Sequence, residues 1–202
     1  MAKGTTTTTV KPIALIQLSG GIDSAYVLYD WLKNNQNDII LVHHIKLINH
    51  EKRSKYEAVA VKKILEWLTG KGLSNFKYIE SKFDYGGIVG IIKDVEVCNF
   101  FLGVILRAKR WSSICKIFMP IYKKENVSRQ IRATKIRRLV SNESTISEKS
   151  GIEVIYPIEN KTKKEVMEKM PKELLELCWY CRKGGETPCG KCMTCEEVIT
   201  NK

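Results

Sequence analysis

The chain predicts an α/β protein built on a parallel sheet with helices on both faces. Three observations carry this expectation: short β-branched apolar runs at 13–18 and 39–45, a helical period after each run, and a glycine turn joining the first run to its helix. Residues 13–18 are apolar enough for a central strand, and a first helix follows over 22–32. The second strand covers 39–45. The second helix covers 56–68, with Val59, Ile64 and Leu68 turned inward and Gly70 and Gly72 ending it. Residues 75–83 supply a third strand, 95–108 a very apolar helix, 115–122 a buried strand and 152–156 the last strand. The polar stretch 141–151 has no periodicity and reads as a mobile loop or a plain connection.

Between the first strand and the first helix lies Leu18-Ser19-Gly20-Gly21-Ile22-Asp23-Ser24. Paired glycines let the backbone turn tightly and approach a ligand with no β-carbon in the way. Free N–H groups at the start of the next helix point at an anion, and Ser19 and Ser24 add hydroxyls. Asp23 in such a cradle suits a metal-bound triphosphate, because the carboxylate can hold Mg²⁺ or its waters. No Gly-Lys-Ser/Thr follows at Walker spacing, so γ-phosphoryl transfer is disfavoured and the α–β bond is the one at risk.

Hydrophobic content of 44% and charged content of 28% suit a globular protein, and no apolar run approaches the roughly 20 residues that span a bilayer. The expected setting is cytoplasmic, with no membrane partner. A net charge of +12 attracts polyanions, and Lys123, Lys124, Arg129, Arg132, Lys135, Arg137 and Arg138 form its densest cluster. No aromatic residues are interleaved from Arg129 to Arg138, which disfavours a nucleic-acid stacking platform there.

Five of seven cysteines crowd into Cys178, Cys181, Cys189, Cys192 and Cys195, whereas Cys98 and Cys115 sit alone in apolar surroundings and read as core. Two consecutive two-residue spacers, with Cys181 eight positions upstream, allow four thiolates to converge on Zn²⁺ in a structural site. An iron–sulfur cluster and a redox pair are the alternatives. Cys181 is preferred over Cys178 as fourth ligand because it leads directly into the Gly184-Gly185 loop.

The Ser-Gly-Gly-x-Asp-Ser order resembles the pyrophosphate-loop signature of the ATP pyrophosphatase superfamily. Together with Cys181, Cys189-Gly-Lys-Cys192-Met-Thr-Cys195 and the segment Pro157-Ile-Glu-Asn-Lys-Thr162-Lys163-Lys-Glu165-Val, it is similar to the 7-cyano-7-deazaguanine synthase family. Arg53 and Glu57 also match the family pattern, and Asn99 corresponds to a family Asn that opens the helix beyond the third strand. Val97 and Cys98 stand where the family has Gly-Arg, and Pro120, Ile121 and Tyr122 replace a glycine and a downstream Asp.

The resemblance implies a Rossmann-like, three-layer adenine nucleotide alpha hydrolase-like fold, divided into a tail over 1–11, an ATP-binding catalytic domain over 12–170 and a zinc module over 171–202. It implies ATP and Mg²⁺ on residues 18–24, Asp23 and Lys163 at the reacting phosphate, and Arg53 and Asn99 on the substrate. The implied reaction joins 7-carboxy-7-deazaguanine and ammonia through an adenylated intermediate, giving 7-cyano-7-deazaguanine. A divergent ligase that stops at the amide, a tRNA-modifying enzyme and a zinc-stabilised nucleotide binder without turnover stay open, as does a homodimer.

Overall fold

A computed structural model describes residues 11–87, 94–122 and 152–201. The basic cluster at 123–138 and the polar stretch 141–151 therefore lie outside the described residues.

The described strands form one five-stranded sheet in the order β3-β2-β1-β4-β5. They are β1 (Ala14–Gln17), β2 (Ile40–Ile48), β3 (Phe76–Asp84), β4 (Lys116–Phe118) and β5 (Glu153–Ile155), and every neighbouring pair is parallel. This is a Rossmann-like arrangement in which the order of the strands switches between β1 and β4. Central β1 has Ala14, Leu15 and Ile16 fully buried because both of its faces are covered.

Helices α1 (Ile22–Asn34) and α2 (Ser54–Gly70) lie on one face with α4 (Lys163–Lys169) and α5 (Lys172–Leu177). Their shared core contains Ile16, Val42, Leu28, Ile64, Val166 and Leu174. Helix α3 (Asp94–Arg107) covers the other face, where Leu102 and Leu106 meet Leu15, Leu41 and Ile117. The last helix, α6 (Met193–Thr200), contributes Val198 to the first core. Among the described residues, no helix is long and apolar enough to cross a membrane.

Three expectations are corrected. Val59 is 52% exposed, because the buried stripe of α2 runs through Glu57, Ala60, Val61, Ile64 and Leu68, and Val59 falls off that stripe. Cys115 is exposed at the start of β4, its thiol 3.5 Å from the Ile13 carbonyl. The fourth strand stops at Phe118, ahead of Pro120, which has no N–H for a ladder. Cys98 is half-buried against Ile45, Leu47, Tyr85 and Val97, and burial pushes its thiol up to about 12.

Candidate functional site

The turn from β1 to α1 lies at the carboxyl end of the central strand. Buried Leu18 and Ile22 anchor it at either side. Leu18 N–H extends the ladder to the His43 carbonyl at 2.9 Å, and the Leu18 carbonyl meets His44 Nδ1 at 2.9 Å. Burial lowers the pKa of both histidines, that of His43 to about 4, so both are neutral at pH 7 and hold the strand without adding charge. Gly20 has φ +81°, and a β-carbon there would come within 2.8 Å of the Glu57 carbonyl oxygen. Glycine is required on both counts.

The two loop serines bind each other first. Ser19 Oγ and Ser24 Oγ are 3.1 Å apart, and Ser24 Oγ also accepts from Ser19 N–H at 3.2 Å. Gly21 is the N-cap of α1, and no side chain among the described residues caps that end. The first-turn amides and the positive end of the helix dipole thus face the loop's open side, an arrangement suited to an anion.

Lys163 is 8% exposed, and its ammonium is 2.6 Å from Asp23 Oδ1. The Tyr122 hydroxyl donates to the same oxygen at 2.6 Å. Thr162 and Glu165 form a reciprocal capping box that starts α4 and places Lys163 at its first position. A cation at a helix N-terminus is unfavourable, and Asp23 offsets that cost. With Oδ1 engaged, Asp23 Oδ2 has no hydrogen-bond partner among the described residues.

Asp23 and Lys163 line a cleft of about 640 Å³ together with Ser19, Gly21, Arg53 and Trp179. Within it the Arg53 guanidinium is divided among Glu51 at 2.7 Å, Glu57 at 2.9 Å and Asp94. Asp94 also accepts from Tyr85 OH and Asn49 Nδ2. Burial raises the Glu57 pKa, and Arg53 opposes that rise. Arg53 is therefore a counter-ion shared by three acids, with Arg182 a further 3.7 Å neighbour of Glu51.

Asn99 is elsewhere. It lines a second cavity of about 310 Å³ with Gln17, Leu102, Met119, Pro120 and Ile121, while Ser19, Gly21 and Asp23 line both cavities. The second cavity opens beyond the carboxyl ends of β1 and β4, where the strand order switches. The loop is thus the shared wall of two spaces, with Arg53 on one and Asn99 on the other.

Sγ atoms of Cys181, Cys189, Cys192 and Cys195 all lie within 4.8 Å of one another. Zn–S bonds of about 2.3 Å give sulfur–sulfur edges of about 3.8 Å in a tetrahedron, so the cluster can hold a metal such as zinc. The Lys183 and Cys189 amides donate to Cys181 Sγ at 3.3 and 3.4 Å, and the Lys191 amide is the main reason that Cys189 is held below its usual pKa. Cys178 stands apart in the core, its thiol on the Leu174 carbonyl and pushed up to about 12 by burial.

The cysteine segment is tied to the loop. Trp179 N–H donates to the Gly20 carbonyl at 2.9 Å, and the Trp179 ring stacks on Tyr56 with centroids 4.8 Å apart. Gly184 N–H donates to the Glu51 carbonyl at 3.0 Å, and a β-carbon on Gly184 would lie 2.3 Å from the Lys52 carbonyl oxygen.

Asp94 and Trp179 did not stand out in the sequence, and Tyr122 did so only as a departure from the family pattern. Their signal is tertiary: Tyr122 reaches Asp23 across 99 positions and Asp94 reaches Arg53 across 41.

No family model matches the chain. A segment of 58 residues is 38% identical to 7-cyano-7-deazaguanine synthase of Methanosarcina mazei, covering 28% of this chain. The match spans about a quarter (25%) of that relative's length. This partial similarity to a synthase supports the family resemblance and suggests a related enzymatic function.

Proposed function

We propose that the protein uses ATP to activate a carboxylate by adenylation, and that its acceptor is 7-carboxy-7-deazaguanine. The observation that carries this reading is the Ser19–Ser24 loop serving as common wall to two cavities, the smaller with room for the base of a nucleotide and the larger with room for an acceptor. Between them lie the uncapped start of α1 and the Asp23–Lys163 pair.

An acceptor carboxylate is a poor electrophile because its leaving group would be oxide. In the proposed reaction, the carboxylate oxygen attacks the α-phosphorus as the bond to the bridging oxygen breaks, and pyrophosphate leaves. Loop amides and Lys163 stabilise charge that grows on the phosphate oxygens, and they are in place before it develops. Ammonia then attacks the acyl carbon, AMP leaves, and loss of a proton gives the amide. A second adenylation on the amide oxygen lets AMP depart with loss of two N–H protons, which leaves the nitrile. Glu51 and Asp94 offer acceptors to the ring N–H and amine of a guanine-type base. The protein contributes mainly positioning.

Asp23 Oδ2 would hold Mg²⁺, which supplies charge neutralisation on the phosphates when bound. The four thiolates would hold Zn²⁺ in a closed site with no open position, suited to fixing the 181–195 loop against residues 51–56.

Pyrophosphate release measured with 7-carboxy-7-deazaguanine and ammonia tests the reading. Release that requires both ATP and this acceptor, with the nitrile identified by mass spectrometry, is expected. Release that depends instead on tRNA, or no release with any acceptor, overturns it.

A further inference from the structure

One residue in the wall of the second cavity carries an unusual group. Asn99 is 6% exposed, and its Oδ1 is buried with no hydrogen-bond partner among the described residues. A buried carbonyl without a donor is costly and rare in a native fold. Asn99 sits on α3 at the edge of a space walled by the apolar side chains of Leu102, Phe118, Met119 and Ile121. One nearby polar group is already spent: Gln17 Nε2 donates to the Cys98 carbonyl at 2.8 Å.

At about 310 Å³ the space is at the small end of ligand pockets, with room for one planar heterocycle. It lies outside the carboxyl ends of β1 and β4, the crevice that parallel sheets reserve for nucleotides. It also adjoins Ser19, Gly21 and Asp23, so a base lodged there is connected through its sugar to phosphates on the loop.

We infer that Asn99 selects the base of the nucleotide, accepting a hydrogen bond at Oδ1 from the exocyclic amine of adenine. This rests on the proposed nucleotide reading and moves Asn99 from the acceptor to the ATP side of the loop. Adenine presents an N–H₂ donor where guanine presents a carbonyl oxygen. Guanine would set two acceptors against each other in an apolar space, and purine, lacking the amine, would leave Oδ1 unpaired. The expected discrimination against either base is roughly tenfold to a hundredfold in affinity.

The test is calorimetric titration of the intact, metallated protein with the magnesium complexes of ATP, GTP and purine riboside triphosphate, repeated on Asn99→Leu. The wild type is expected to bind ATP at least roughly tenfold tighter than the other two, and N99L to lose most of that difference. Comparable affinity of the wild type for all three overturns the role of Asn99 and leaves the nucleotide reading standing. Absence of heat with all three overturns the nucleotide reading itself, and this inference with it. Equal affinity of the wild type for ATP and purine riboside triphosphate overturns the role of Asn99 even where N99L does not fold.

Discussion

Lys163 Nζ lies 2.6 Å from Asp23 Oδ1, although the two residues are 140 positions apart. The pair joins the start of α4 to the first turn of α1 at the cleft wall. Each residue has a task in the absence of ligand: Lys163 neutralises the acid beside the glycine turn, and Asp23 lets an ammonium be buried at a helix start.

If the proposed adenylation is the reaction, Lys163→Met is expected to lower pyrophosphate release about a hundredfold, because a donor positioned for the developing charge would be lost. Asp23→Ala should abolish release. Steady-state assays at saturating ATP decide both, and near-normal turnover by either variant removes that residue from the chemistry.

Gly20→Ala places a β-carbon 2.8 Å from the Glu57 carbonyl oxygen at φ +81°. Strain and clash together are expected to cost about 2–4 kcal/mol. Gly21→Ala meets nothing nearer than Ser19 Oγ at 3.4 Å, so its cost should stay below about 1 kcal/mol. Urea midpoints of the two variants check the contrast, and equal midpoints would show that the close approach to α2 is not real.

Cys192→Ser removes one corner of the thiol cluster. Metal content by elemental analysis should fall, and the loop should loosen through Trp179 and Gly20. Because metal binding in such a cluster supplies folding free energy, a strong chelator should lower the unfolding midpoint of the wild type. Cys178→Ser should leave the metal in place, since that thiol sits in the core. Unchanged metal in C192S contradicts the assignment.

His43 predicts an acid-side loss of stability. Its pKa of about 4 in the fold lies below the ordinary 6.5, so the unfolded chain takes up a proton first as pH falls. Stability is full above about pH 6.5 and declines as pH drops to about 4, by about 1–3 kcal/mol. His43→Gln, which can keep a hydrogen bond to Ser81, should flatten that part of the curve relative to wild type in unfolding experiments between pH 7.5 and 4.5. Superimposable curves would exclude His43 as a cause.

The parts legible in sequence are those set by near neighbours. The glycine turn after an apolar run announced β1, the loop and α1, because strand, turn and cap chemistry all act within a dozen residues. The capping box of Thr162 and Glu165 at the start of α4 acts over the same short range. Cysteine spacing likewise showed the thiol cluster. Helix phase was harder: Val59 and Ala60 are adjacent, and only packing against Gly20 and the sheet decides which one turns inward.

Long-range pairing was not legible. Arg53 and Asn99 both look like ligand residues in a linear reading, yet Arg53 is occupied by Glu51, Glu57 and Asp94, and Asn99 lies across the loop from it. A single sequence states which charges exist. It does not state which of them already have partners, since that depends on where strand ends bring distant segments together.

The Gly20 carbonyl is fastened by the Trp179 amide, and this has a consequence for synthesis on the ribosome. The bend is translated early, and its clasp emerges only after the whole sheet has been made. A nascent chain stalled before Trp179 would carry the bend with that bond missing, so the nucleotide binding proposed for it should switch on late, as the cysteine segment leaves the exit tunnel.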